Sequence, residues 1–173
     1  DLTSFAESAA KMGVAFDVSA DQAGEMMAKW RTAFKMNQDQ VVGLADKINY
    51  LGNTTAASAP LISDVVTRIG PLGAIGGVAS GEIAALGASM VGSGIESDVA
   101  ATGIKSLILA LTSGKSATKS QSEAFAELGL NAEDVAQSMQ TDAKGAILQV
   151  LTAIQSLDKV DQANVLSNLF GKE

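Results

Sequence analysis

Five short stretches of this chain carry residue types that could do chemistry. Glu96 is followed by Ser97, the Glu-Ser pairing in which lytic transglycosylases present a general acid to a murein glycan. That chemistry needs a carboxyl kept protonated by its surroundings, in a cleft of sugar size. Here Asp98 follows at once, a helix-forming run comes next, and no Gly-Leu-Met-Gln-like element lies downstream. Ser97 as a helix N-cap with Glu96 exposed beside it is the expected arrangement. Gly114-Lys115-Ser116 matches the end of a phosphate-binding loop. The full pattern needs a Gly five residues earlier, where Leu109 stands, and a strand before it. A helix C-cap is expected there instead. Gly73, Gly76, Gly77 and Gly81 are close together, but with no strand ahead of them they make no dinucleotide loop. Tight helix approach or a hinge accounts for them better. The acidic pairs Glu133-Asp134 and Asp158/Asp161 lack the alternating ligands of a calcium loop and suit the first turns of helices.

Composition narrows the chemistry further. The 173 residues include no His and no Cys, which removes the commonest general base, thiolate nucleophiles, thiolate metal sites and disulfides. Aromatic residues are 4% of the chain, too few for stacking platforms for sugars or bases. The net charge is −7, and the 12 basic residues are scattered. A duplex-binding surface clusters Lys and Arg against phosphates, so direct nucleic-acid binding is not expected. No residue is assigned as catalytic, cofactor-binding or metal-ligating, no cofactor is implied, and the chain is read as not an enzyme.

Residues 71–95 hold one charge, Glu82, and seven glycines. Their length would span a bilayer, and Gly77-Val78-Ala79-Ser80-Gly81 is a GxxxG pattern. A central carboxylate costs ~2.5–3.5 kcal/mol on insertion scales, and Ser80 is placed to cap a helix and divide the run. The stretch is expected to be packed in the protein, with membrane insertion confined to a different state.

The elements that must carry these residues are helical. Apolar residues recur at three- and four-residue spacing: Ala23, Met26/Met27, Trp30 and Phe34; Val41, Leu44/Ala45, Ile48 and Leu51; Ile62, Val65/Val66 and Ile69; Ile83, Leu86 and Met90; Ile104, Leu107/Ile108 and Leu111; Ile147, Val150/Leu151 and Ile154. No stretch alternates long enough for a strand. Capping boxes are expected at Ser19–Gln22 and Ser120–Glu123, and N-caps at Asn37, Ser58, Ser97, Asn131, Thr141 and Asp158. Gly13, Gly52, Gly70, Gly94, Gly114 and Gly129 are expected as left-handed stops. The sum is an all-α, multi-helix domain of about ten short helices, most of roughly 8 to 17 residues, with a possible sub-division expected near 70–80. Gly13 followed by Ser19-Ala20 recurs 39 residues later as Gly52 followed by Ser58-Ala59, a spacing that suits stacked helical hairpins. A common way of ending and restarting a helix would produce the same pattern. The opening Asp1-Leu2-Thr3-Ser4-Phe5 has neither an initiator Met nor a signal-peptide pattern, and residues 1–173 are expected to be an interior fragment of a longer polypeptide.

Several stretches resemble the core region of phage tail tape measure proteins. They are Ala9-Ala10-Lys11-Met12-Gly13-Val14-Ala15-Phe16-Asp17-Val18-Ser19 with Met26-Met27-Ala28-Lys29-Trp30-Arg31, Ile48-Asn49-Tyr50-Leu51-Gly52-Asn53-Thr54-Thr55-Ala56-Ala57-Ser58, Ala100-Ala101-Thr102-Gly103-Ile104-Lys105-Ser106-Leu107 and Leu166-Ser167-Asn168-Leu169-Phe170-Gly171. The resemblance runs along the whole chain. It implies a structural virion component from a tailed phage or prophage, located in the virion tail and, during assembly, in the host cytoplasm. It implies roles in tail-length determination, tail assembly and genome ejection. The implied partners are the tail tube protein, tail assembly chaperones and tail-tip or baseplate proteins; separately, exposed alanine- and glycine-rich faces suggest self-association into a homo-oligomer. Two alternatives accompany it: a membrane-active helical segment used in ejection, and a murein-cleaving module. The width of a tube lumen suggests two forms, a helical globule and an extended helical form.

Overall fold

The computed structural model describes Leu2 to Gly171. Within those residues the chain forms eleven α-helices and no strand, in the order α1 Leu2–Phe16, α2 Ala20–Ala33, α3 Gln38–Thr54, α4 Ala59–Ile69, α5 Pro71–Ile75, α6 Ser80–Gly92, α7 Ser97–Leu111, α8 Lys119–Glu127, α9 Ala132–Thr141, α10 Ala143–Gln155 and α11 Lys159–Phe170. One 3-10 turn, Gly114–Ser116, stands between α7 and α8. The expected all-α class is the observed one.

Two compact units share these helices. The first comprises the chain up to Ala74 together with Ala79–Ile104; the second comprises Ile75–Val78 together with the chain from Lys105 onward. In the first, α1 and α2 form one helical hairpin and α3 and α4 another. The hairpins stack, α1 against α3 and α2 against α4, and α6 packs on α3 and α4. Ala23, Met27, Trp30, Val41, Ile48, Ile62, Val65 and Val66 are fully buried there. The buried Trp30 indole N–H donates to Thr67 Oγ1 at 2.9 Å, and that hydroxyl donates to the Ser63 carbonyl at 2.8 Å. This bond ties the second helices of the two hairpins together and satisfies a donor that would otherwise be stranded.

The hairpin corners give the 39-residue repeat a physical cause. Gly13 and Gly52 are not left-handed stops; both lie inside helices, and neither has positive φ. A Cβ on Gly13 would stand 2.9 Å from the Val18 carbonyl oxygen and 3.2 Å from the Ala20 nitrogen. On Gly52 it would stand 2.9 Å from the Ala59 nitrogen and 3.0 Å from the Ala59 Cβ. In each hairpin the glycine makes room for the first residue of the following helix, seven positions on. Helix α1 stops later, at Asp17, whose φ of 54° lets the Val18 N–H reach the Gly13 carbonyl at 2.9 Å. Lys35 (φ 53°) ends α2 in the same way, through Met36 N–H on the Arg31 carbonyl. Gly94, Gly114 and Gly129 do take the expected positive φ (90°, 50° and 71°), although Gly114 lies three residues beyond the end of α7. Gly70 has φ 48° but ψ −128°, outside the left-handed helical well and open in practice only to glycine.

Other expected ends shift by a residue or two. Capping boxes form at Ser19–Gln22, as expected, and at Asn37–Gln40. The box expected at Ser120–Glu123 forms instead between Thr118 and Gln121, because α8 begins at Lys119. Ser97 and Ser80 are first residues of their helices rather than caps. Ser97 spends its hydroxyl on Asp64, and α6 is capped by Glu82, whose Oε2 accepts from the Ala79 N–H at 3.1 Å. Thr141 closes α9, and Asp142 caps α10, accepting from the Gly145 N–H at 2.9 Å. Asn131 and Asp158 cap α9 and α11 as expected. Ser58 takes the N-cap position of α4 without a side-chain bond.

In the second unit α8 packs on α11, α9 on α10, and α10 on α11, with the 3-10 turn against α9. Phe125, Val135, Met139, Val150, Val165 and Leu169 are buried. The Gln121 amide donates to the Leu169 carbonyl at 3.1 Å, fastening the start of α8 to the end of α11.

Candidate functional site

In the first unit the structure brings Asp64, Arg68 and Ser97 together. Asp64, on the outer face of α4, accepts from Arg68 Nε at 2.7 Å and from the Ser97 hydroxyl at 2.6 Å, both on Oδ2. Partial burial alone would raise the Asp64 pKa, but the Ser97 and Arg68 hydrogen bonds and the Arg68 charge outweigh it, and the carboxyl is held below its ordinary value. Arg68 is correspondingly held charged, by the Asp64 bond and charge first, with a smaller contribution from Asp98. A carboxylate so occupied is an anchor between α4 and the start of α7. The Asp64–Arg68 spacing of four residues was available as a helical ion-pair signal; the part played by Ser97 was not, because it depends on tertiary packing.

The motifs that could have done chemistry are dispersed. Glu96 is exposed, and its backbone carbonyl accepts the first bond of α7, from the Ala100 N–H at 2.9 Å. Its neighbour Ser97 is committed to Asp64, so the pair presents no acid in a cleft. Gly114-Lys115-Ser116 forms a 3-10 turn after a helix, closed by the Ala117 N–H on the Gly114 carbonyl at 3.1 Å. It opens that turn rather than capping α7, and no strand precedes it. Glu133 and Asp134 lie in the first turn of α9 and Asp161 in that of α11, where their charge meets the positive helix end. Among the described residues, no three Asp or Glu side chains gather closely enough to hold a metal ion.

Residues 71–95 form α5, a turn and α6. No helix among the described residues is long and apolar enough to cross a membrane. Helix α6 buries Ile83, Ala84, Gly87, Ala88 and Val91, whereas Leu86 and Met90 are only half-buried. Its inward face is therefore rotated toward the small residues, because Gly87 lies against Val65 of α4 at a distance that leaves a Cβ only 3.0 Å from the valine methyl.

Open grooves exist but are chemically plain. One of about 610 Å³ in the first unit is lined by Asp46, Lys47, Tyr50 and Glu82 among others; its Glu82 is the cap of α6. One of about 600 Å³ in the second unit is lined by Ser106, Leu109, Gln121 and the end of α11, without a titratable side chain.

The chain's relationship to known proteins is closer than any likeness its polar groups bear to a reactive site among the described residues. A family described as phage-related minor tail protein matches residues 1–171. The probable tape measure protein of Halomonas phage phiHAP-1 is 37% identical over 169 residues, which cover 98% of this chain and 20% of that protein. The chain thus spans about a fifth of the length of this relative. No solved structure matches it. A match that begins at the first residue and runs through α11 leaves no part of either helical unit outside it, and the chain belongs to the phage-related minor tail protein family.

Proposed function

We propose that this chain is a structural segment of a tape measure protein, a component of the virion tail that acts in tail-length determination, tail assembly and genome ejection. The observation that carries the reading is the 37% identity to a probable tape measure protein, continuous over 169 residues. Glu82, Asp142 and Asp64 cap helices or join them, and Glu96 stands exposed; these are the tasks of side chains in a structural segment. Association is with other tail components, the tube protein, assembly chaperones and tip or baseplate proteins among them, and with further copies of the chain.

A ruler inside a tube must also be narrow. A single α-helix is about 10–12 Å wide, and this many residues would extend ~260 Å as one helix. The compact helical form is one state, and an extended helical form inside the tail is the second. In-frame deletion of the segment from its parent gene, followed by electron microscopy of the tails, tests the ruler role. Tails shortened by up to ~260 Å are expected; normal tails of unchanged length would refute it.

A further inference from the structure

We propose that Ile75–Val78 is a clasp on the end of α9, and that α9 opens at its C-terminal turn when, and only when, this strap lets go. The strap begins at the last residue of α5 and ends before α6, yet it packs with the second unit, whereas the chain up to Ala74 and from Ala79 to Ile104 packs with the first. Three features attach it. Val78 is 2% exposed. The Gln140 amide donates to the Ile75 carbonyl at 3.5 Å. Gly77 adopts φ 75° with its α-carbon against the Met139 carbonyl, where a Cβ would collide with that oxygen.

The attachment is also slight. Val78 is its one large buried side chain, Ile75 is 72% exposed, and the amide bond is long. No strap residue is titratable, so a change of pH does not act on its side chains directly. It is instead covalently continuous with α5 and α6, and tension along the chain at either helix reaches it within a few residues. A small attachment placed where pull arrives is released before a packed helical hairpin is. Beneath it lies the last turn of α9, with Met139 fully buried, and the corner at Asp142 that starts α10 follows that turn in sequence. The clasp thus sets where opening begins, whether or not the chain determines tail length.

Hydrogen–deuterium exchange on the full 173-residue chain tests the proposal. Gly77→Ala adds both the left-handed penalty and the collision, Val78→Ser empties the buried position, and Gln140→Ala removes the amide bond. Each is expected to speed exchange at the end of α9 and the start of α10, by roughly tenfold for Gly77→Ala, with the Val65 and Val66 amides of α4 unchanged. Gly94→Ala is the control, since it has the same φ sign but open space around an added Cβ, and it should leave α9 protected. Should Gly77→Ala fail to fold, the milder Gln140→Ala still decides. The chain has no cysteine, so Ile75→Cys with Gln140→Cys, joined by a short bifunctional thiol reagent, should slow the same amides. Unchanged α9 exchange in the strap variants, an equal rise across both units, or a cross-link without effect would each overturn the proposal.

Discussion

Two glycines of one helix should respond to alanine with opposite signs. Gly43 and Gly52 both lie in α3. An added Cβ at Gly43 meets nothing within 4 Å, so Gly43→Ala collects the helix-propensity gain of about 1 kcal/mol, mostly by restricting the unfolded chain. Gly52→Ala collects the same gain but places a methyl 2.9 Å from the Ala59 nitrogen, 3.0 Å from its Cβ and 3.2 Å from its Cα. Two of those atoms are backbone at the first residue of α4, and Ala59 is itself buried, so no flexible side chain can swing away. The start of α4 must move by some tenths of an ångström. Overpacking of that kind costs about 1–3 kcal/mol, which leaves a net loss of roughly 1 kcal/mol after the propensity gain. The two variants should then differ by about 2 kcal/mol, or ~4–8 °C in Tm for a chain of this size. Thermal unfolding followed by circular dichroism at 222 nm reads the difference. Gly13→Ala should follow Gly52→Ala, because its added Cβ meets Val18 and Ala20 backbone atoms. If Gly52→Ala proves as stable as Gly43→Ala, the account of the hairpin corners is wrong.

Two further outcomes follow from the polar contacts. Thr67→Val removes the acceptor of the buried Trp30 indole N–H and should cost about 1–3 kcal/mol. Thr67→Ser should recover most of that, and urea unfolding can be followed through the chain's only tryptophan; equal stability of the Val and Ser variants would refute the role of the bond. Asp64 has a folded-state pKa below its ordinary value, so its contribution is present above the unfolded carboxylate pKa of about 3.9 and is lost as pH falls through the folded value. Asp64→Asn should therefore lower stability at neutral pH and flatten the acid loss below about pH 4. Parallel stability curves for the variant and the parent would count against the Asp64–Arg68–Ser97 anchor.

Helix existence and inward faces were legible wherever large residues set the period. Trp30, Ile48, Val66, Ile108 and Val150 are all buried on the faces their spacing indicates. The inward face of α6 differs from the one its large residues indicate because its neighbours select small residues: Gly87 and Ala88 are buried where Leu86 and Met90 are not fully so. Helix ends were legible when a cap works locally, as at Ser19, Asn37 and Asp158, and illegible when the side chain has a tertiary partner, as Ser97 has in Asp64. Gly13 and Gly52 differ from helix stops for a related reason. Glycine ends helices, but it also admits backbone, and only the packed corner shows which property is in use. Asp17 and Lys35 end helices from the left-handed region without being glycine, against the local preference. The strap at 75–78 read only as a glycine-rich run, because its partner in α9 is more than sixty residues away.

The same helices constrain any extended form. Apart from the five-residue α5, they run from 9 to 17 residues, and helices much below 12–15 residues are marginal alone in water. Each therefore depends on the face it buries. Drawn into single file, the chain would expose Trp30, Met27, Ile48, Phe125 and Val150, which are now fully buried, and hydrophobic stabilisation of about 1.5–3 kcal/mol for each large side chain would be lost. An extended helical ruler is thus physically consistent only if another surface replaces the lost hairpin contacts. Further copies of the chain, were they bundled along the tube axis, would offer the same apolar stripes in return, whereas a lone copy in a water-filled lumen would fold back into its two units. On this reading, extension and self-association are one event. A chain drawn out in isolation and then released should refold, and chains extended side by side should stay extended.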